Sequence, residues 1–198
     1  MNTQYIAFAC VISVALANYT VFSDGTFKNN WYEKGSTCFA SQTGKYDGRY
    51  ILYTQMAANS FLNLHGDKPI IAKNYKYLTF ALNWEDQFCN LRITIELGSH
   101  WLKNLEFQPE VLEPQKWNRV VVDITSLGET DVDTIKITKN DQKDTNVMFN
   151  DFIFTNDEPE GGIFSYEQLS SSVQLDDSEV DGSMSVFILL LGIVFLFL

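Results

Sequence analysis

Basic residues are scarce in this chain and stop early. Its 198 residues carry 14 Lys and Arg against 25 Asp and Glu, a formal net charge of −11, and Lys143 is the last cation. Nucleic-acid binding needs clustered Lys and Arg, so that class of partner is excluded. Cysteine is scarce as well: Cys10, Cys38 and Cys89 include no CxxC pair, and His65 and His100 stand apart. A zinc site of the usual ligand spacing is therefore excluded. No GxSxG elbow, HExxH helix or glycine-rich phosphate loop occurs. The acids sit mostly in turns and in the acidic end, and no pair of them marks the two sides of a glycosidase cleft. No catalytic residue is assigned. Helical periodicity is missing from the middle of the chain too.

Charge is also absent from both ends, and there the absence is informative. Met1 to Ala17 contains no charged side chain, carries an apolar run from Tyr5 to Leu16 and closes on Ala15-Leu16-Ala17. Residues 1–17 read as a secretory signal peptide without a basic n-region, leaving Asn18 as the first mature residue. Val186 to Leu198 is a second apolar run, 13 residues long, with nothing charged after it. A membrane-spanning helix needs roughly 20 apolar residues. Residues 184–198 are therefore expected to be a glycosylphosphatidylinositol (GPI) attachment signal, with a short tail-anchor helix as the alternative. Two small-residue sites suit the lipid, Ser170-Ser171 and Asp181-Gly182. The first leaves a spacer longer, and the second one shorter, than the usual span of about 8–12 residues. The expected location is the outer leaflet of the plasma membrane.

Residues 18–156 are enough for one domain with a real core. From Asp144 to Asp181 every charge is negative, and Pro159, Gly161, Gly162 and the Ser170 to Ser172 run fall in the same stretch. Such a composition buries little apolar surface, so residues 157–183 are expected to be an acidic, disordered stalk. In an oxidising compartment Cys38 and Cys89 most simply form one disulfide, the alternative being two buried thiols. The bridge would close about 50 residues and stabilise by about 3–4 kcal/mol. Asn18-Tyr19-Thr20 is the only glycosylation sequon.

Short β-branched and aromatic runs recur between Gly, Asn, Asp and Pro. The expected strands are Tyr19 to Ser23, Arg49 to Met56, Phe61 to Leu64, Leu78 to Trp84, Leu91 to Leu97, Asn118 to Ile124, Thr134 to Thr138 and Val147 to Phe154. Many short strands separated by turn signals predict an all-β fold, a single antiparallel β-sandwich of jelly-roll type.

The order of particular pieces carries a likeness. Tyr19-Thr-Val-Phe-Ser-Asp24 precedes a turn and Asn30-Trp31-Tyr32, and Lys116-Trp117 opens a late strand. Asn150-Asp151 then lies on the last expected strand. Over Asn18 to Thr155 this resembles the galactose-binding-domain-like jelly rolls found among carbohydrate-binding modules. The resemblance implies a structural Ca2+ held by Asp24 and Asp151, against the plainer reading of Asp24-Gly25 as a turn. It departs from the family at Asn150, where two consecutive aspartates are usual.

Sugar recognition needs aromatic faces and polar groups for hydroxyls. Trp84 shares a face with Leu78, Phe80 and Leu82 and is expected to be core, and Trp117 is expected to be structural. Trp31, Tyr32, Tyr46 and Trp101, read as loop residues, are the expected stacking groups, with packing as the alternative for each. Arg92, Thr94 and Glu96 point away from the core side of their strand and are expected to line a groove. The functional expectation is a GPI-anchored surface protein that binds carbohydrate or a cell-surface glycoprotein and serves adhesion. The alternative is a surface coat or interaction protein that uses the same sandwich without a sugar site.

Overall fold

The computed structural model describes residues 17–46, 48–99, 105–107, 112–157, 163–164 and 174–175. They form two antiparallel sheets and, among the described residues, no helix longer than a 3-10 turn. The expected all-β sandwich is what the chain adopts.

The first sheet is built around β12 (Thr145–Thr155). Its neighbours on one side are β7 (Tyr77–Trp84) and then β10 (Trp117–Asp123). On the other side lie β5 (Arg49–Met56) and β4 (Phe39–Tyr46). The pairing of β12 with β7 slips between Asn150 and Ile153, and Asp151 there has φ 51°. This is the geometry of a β-bulge, which lets β12 pair with β5 before the slip and with β1 (Tyr19–Ser23) after it. Asp24 and Gly25, both at positive φ, make the two-residue turn from β1 to β2 (Thr26–Phe27). Positive φ at both positions is what a tight hairpin loop demands, hence the Asp-Gly sequence.

The second sheet runs β3 (Trp31–Glu33), β6 (Phe61–Ile71), β11 (Asp131–Lys139), β8 (Ile93–Gly98), β9 (Leu105–Phe107). Here the alternation is clean: Leu62 and Leu64, Ile135 and Ile137, and Ile93 and Ile95 face inward and are buried. Residues between them face outward. Pro69 lies in β6 where pairing with β11 lapses between Val132 and Thr134, the place in a strand where a missing N–H is tolerated.

Between the sheets lies the core. Phe80 stacks on Phe152 at 4.7 Å, and Phe149 packs beside both. The Trp84 indole N–H donates to the Cys89 carbonyl at 2.9 Å, which satisfies a fully buried donor. Trp31 also belongs to this core, with Nε1 donating to the Tyr19 hydroxyl at 3.2 Å. Gly66 makes room for it, since a Cβ at that position would lie 2.7 Å from the indole. Burial of that order is worth about 1.5–3 kcal/mol for each large apolar side chain.

The expected disulfide does not form: Cys38 and Cys89 are both free thiols. Cys38 ends the connection into β4, whereas the Cys89 sulfur lies 4.0 Å from Asp141 Oδ1, in the turn after β11. Burial pushes the Cys38 thiol up to about 11, its own backbone hydrogen bond pulls the other way, and Glu33 raises it further. Burial also raises Cys89, together with Asp141 and Asp86 and against Lys139 and Lys143. Both sulfurs are therefore held as unreactive thiols at neutral pH.

Inside the stretch expected to be a stalk, two short strands join the first sheet. β13 (Ile163–Phe164) pairs with β10, and β14 (Gln174–Leu175) pairs with β4. The apolar tail 184–198, the attachment residues Ser170, Ser171, Asp181 and Gly182, and signal residues 1–16 lie outside the described residues.

Candidate functional site

The outer face of the first sheet is not a flat solvated surface. Outward residues on five strands meet in a second apolar cluster of Tyr46, Ile51, Tyr53, Trp117 and Met148, with Ala81 against it. Tyr46 stands on β4 and Trp117 on β10, four strand spacings apart in the sheet order. That separation would be about 19 Å in a flat sheet. Their ring centroids nevertheless lie 6.0 Å apart, edge to face at 72°. The sheet must therefore curl strongly, with its outer face concave, so that rings from opposite sides reach over a trough.

Polar groups lie on the floor of this trough. Asn83 on β7 sits opposite Met148, and Asn150 on β12 sits opposite Ala81. Asn83 is fully buried, and among the described residues neither its Nδ2 nor its Oδ1 has a hydrogen-bond partner; the buried Asn150 Oδ1 has none there either. Leaving such a group unsatisfied costs roughly 1–3 kcal/mol, so a native chain rarely keeps several together without a use for them. Arg119, half-buried, pairs in register with Ala81 and brings a cation to the same region.

Asp24 lies near enough to Asp151 for its charge to act on that carboxyl. Burial by surrounding protein raises the Asp151 carboxyl above its ordinary value, and the nearby Asp24 charge raises it further. Arg49 and Arg119 pull it back down. Gly25 is required beside them, because a Cβ there would lie 2.5 Å from Tyr50 Cβ.

The other expected ligand residues do not gather in one place. Trp31 is 2% exposed in the main core and Tyr46 is 3% exposed in the trough, and both sit on strands rather than loops. Arg92 precedes β8 instead of lying in it, so it is exposed and does not line a groove; its backbone N–H donates to Asp141 Oδ2 at 3.4 Å. Thr94 is buried on β8. Tyr32 and Glu96 lie on the outer face of the second sheet, where Tyr32 meets His65 edge-on at 5.5 Å and Glu96 accepts from Lys136 Nζ at 3.0 Å. Trp101 lies outside the described residues. Asn18 is exposed ahead of β1.

Tyr53, Asn83, Trp117, Met148 and Asn150 were not anticipated as site residues. One signal could have found them: Arg49 to Met56 and Val147 to Phe154 carry apolar side chains on both alternating sets, the mark of strands covered on two faces.

The architecture is that of the carbohydrate-binding-module β-sandwiches. A family 30 carbohydrate-binding module superposes with TM-score 0.52 at 14% identity, over 74% of this chain and 91% of that one. A family 29 module complexed with cellulohexaose superposes with TM-score 0.51 at 14% identity, over 71% and 92%. A family 29 variant complexed with mannohexaose gives TM-score 0.50 at 13% identity, over 70% and 90%. At such identities the likeness establishes the fold alone. No family model matches the chain, and no curated protein matches its sequence.

Proposed function

We propose that this protein binds carbohydrate without transforming it, in the trough of the first sheet. The observation that carries the reading is the pair of buried, unsatisfied amides, Asn83 and Asn150, on the floor of an aromatic-walled concave face. Sugar hydroxyls both donate and accept, so they can complete both the Nδ2 and Oδ1 positions of Asn83 at once. The apolar face of a pyranose ring suits Tyr46, Tyr53 and Trp117. In the described state the Tyr46 and Trp117 rings meet, so a ligand must part them and replace a contact worth about 0.5–1.5 kcal/mol. The neighbours complexed with cellulohexaose and mannohexaose make linear hexose oligomers the first ligands to try.

A structural Ca2+ at Asp24 and Asp151 is part of this proposal. The crowding that lifts the Asp151 carboxyl is what a cation would relieve. Among the described residues no group of three or more His, Cys, Asp and Glu forms a metal site. The rest of a Ca2+ shell of six to eight oxygens would then come from backbone and water. The proposed setting is the cell surface, supported by the apolar run at each end of the chain: secretion first, then a GPI anchor. Many copies on one membrane would convert weak single-site binding into adhesion by avidity.

The test is calorimetric titration of the full-length chain, in mild detergent, with cellulohexaose and mannohexaose, beside Tyr46→Leu and Asn83→Leu. Saturable binding that both substitutions abolish is expected. Binding unchanged in both variants would remove the trough from the account.

A further inference from the structure

The opposite outer face, on the second sheet, has a different chemistry and is open. Three rows of side chains cross it in register. Tyr32, His65 and Thr134 form one; Asn63, Lys136 and Glu96 the next; Phe61, Thr138 and Thr94 the third. A groove of about 560 Å³ lies over them, lined chiefly by Lys34, Phe61, Asn63, His65, Thr134 and Lys136.

Two features of this groove call for a ligand. The first is charge. In a chain of net charge −11, the described residues that line the groove include two lysines and no carboxylate, with Glu96 beside one of them. Lys136 lies 5.0 Å from the Phe61 ring centroid and is held by Glu96 at 3.0 and 3.2 Å. Lys34 lies 6.0 Å from the Tyr32 ring centroid and has no carboxylate partner among the described residues. The second is hydrogen bonding. Asn63 Nδ2 donates to the Lys34 carbonyl at 2.7 Å, which fixes the amide and leaves Oδ1 buried with no donor among the described residues. Beside the groove, in register with Phe61, Thr138 Oγ1 is buried and also lacks a partner among the described residues.

We infer that this groove is a second binding site, independent of the trough, for an anionic sugar unit such as a uronate or a sulfated hexose. Lys34 takes the anionic group. Asn63 Oδ1 accepts from a ring hydroxyl, and the Tyr32 ring packs against the sugar. A bare phosphate or sulfate supplies only acceptors at neutral pH, so it leaves the orphaned oxygens unsatisfied. A neutral sugar leaves the Lys34 charge unanswered. A sugar that carries both an acid and hydroxyls meets both needs.

The experiment titrates the full-length chain with an oligogalacturonate and with a sulfated oligosaccharide, at low salt and at about 0.15 M salt, where the Debye length is near 8 Å. Inorganic sulfate alone serves as a control. Binding to at least one of the two oligosaccharides is expected, weakened by salt. It should fall about tenfold or more in Lys34→Ala, the loss expected for one charge-assisted hydrogen bond, and recover in Lys34→Arg. Asn83→Leu in the trough should leave it unchanged. Three outcomes would overturn the inference: neither oligosaccharide binding at low salt, Lys34→Ala binding as well as the parent, or inorganic sulfate binding as tightly as the saccharide. Loss in Asn83→Leu would likewise overturn it, since the ligand would then occupy the trough.

Discussion

The two outer faces of this sandwich are built from the same kind of strand and end up as opposites. On the first sheet, β5, β7 and β12 bury residues on both of their faces, because a curled face gathers Tyr46, Tyr53, Trp117 and Met148 into a cluster of its own. On the second, β6 and β11 alternate over Phe61–His65 and Thr134–Thr138 between buried and half-exposed, and apart from Phe61 that outward set is polar or cationic. The first face hides unsatisfied amides under aromatic rings. The second offers an exposed ammonium in a groove whose wall holds the buried Asn63 oxygen. On the first face rings from distant strands come together, and on the second each side chain meets its neighbours in register.

Substitution of the aromatic residues on each face should expose that contrast most strongly. Trp117→Ala is expected to cost about 3–5 kcal/mol, as for a core tryptophan. Tyr32→Ala on the open face should stay within about 0.5 kcal/mol, the range for surface changes. Urea unfolding of the two variants measures both. Equal costs would mean that the trough is not a packed unit.

Amide replacement comes next. Asn83→Leu is expected to stabilise by as much as about 1–3 kcal/mol, because it removes a buried group with no partner, while sugar binding is lost. A loss of stability would mean that Asn83 is satisfied and that the site argument fails.

Reduction separates thiols from a bridge. With Cys38 and Cys89 free, dithiothreitol should leave the melting temperature unchanged. A disulfide over that loop would instead give a drop corresponding to about 3–4 kcal/mol.

The pH response of Asp151 is expected to be smaller. Its carboxyl holds a proton to higher pH in the folded chain than in the unfolded one, so the native state binds more protons in between. Stability from this group is therefore full below its ordinary value and falls as pH rises through the raised one. Asp151→Asn should flatten that slope in melting curves recorded across the acidic range. Added Ca2+ should flatten it in the parent only, and an unchanged slope with Ca2+ would count against the metal at this site.

Much of the second sheet was legible in the sequence. Leu91, Ile93, Ile95 and Leu97 against Arg92, Thr94 and Glu96 gave the inward and outward sets around β8 and placed Glu96 outward. The first sheet resisted for a physical reason. Strands covered on both faces lose their alternation, so nothing singled out Tyr53 and Met148, and Trp117 read as a structural start to its strand. Tyr46 read as a loop residue because Gly44 and Gly48 lie on either side of it, and Trp31 because Asn29 and Asn30 precede it. Gly44 in fact lies within β4 and fits under Tyr53, where a Cβ would lie 2.7 Å away. The Asp24 charge acts on Asp151 from 127 residues away in the chain, and no spacing rule relates the two; only the resemblance suggested the pairing. The disulfide expectation failed because two cysteines in a sequence carry no information on where their sulfurs point.

The central claim is that the trough binds carbohydrate, and a multivalent glycan array probes it most directly. The full-length parent chain, Asn83→Leu and Lys34→Ala would be displayed on beads and compared on the same array. The account predicts that the parent binds neutral glycans, that Lys34→Ala keeps those signals, and that Asn83→Leu loses them. A folded parent that binds no glycan at high valency, or neutral-glycan binding that survives in Asn83→Leu, would contradict it.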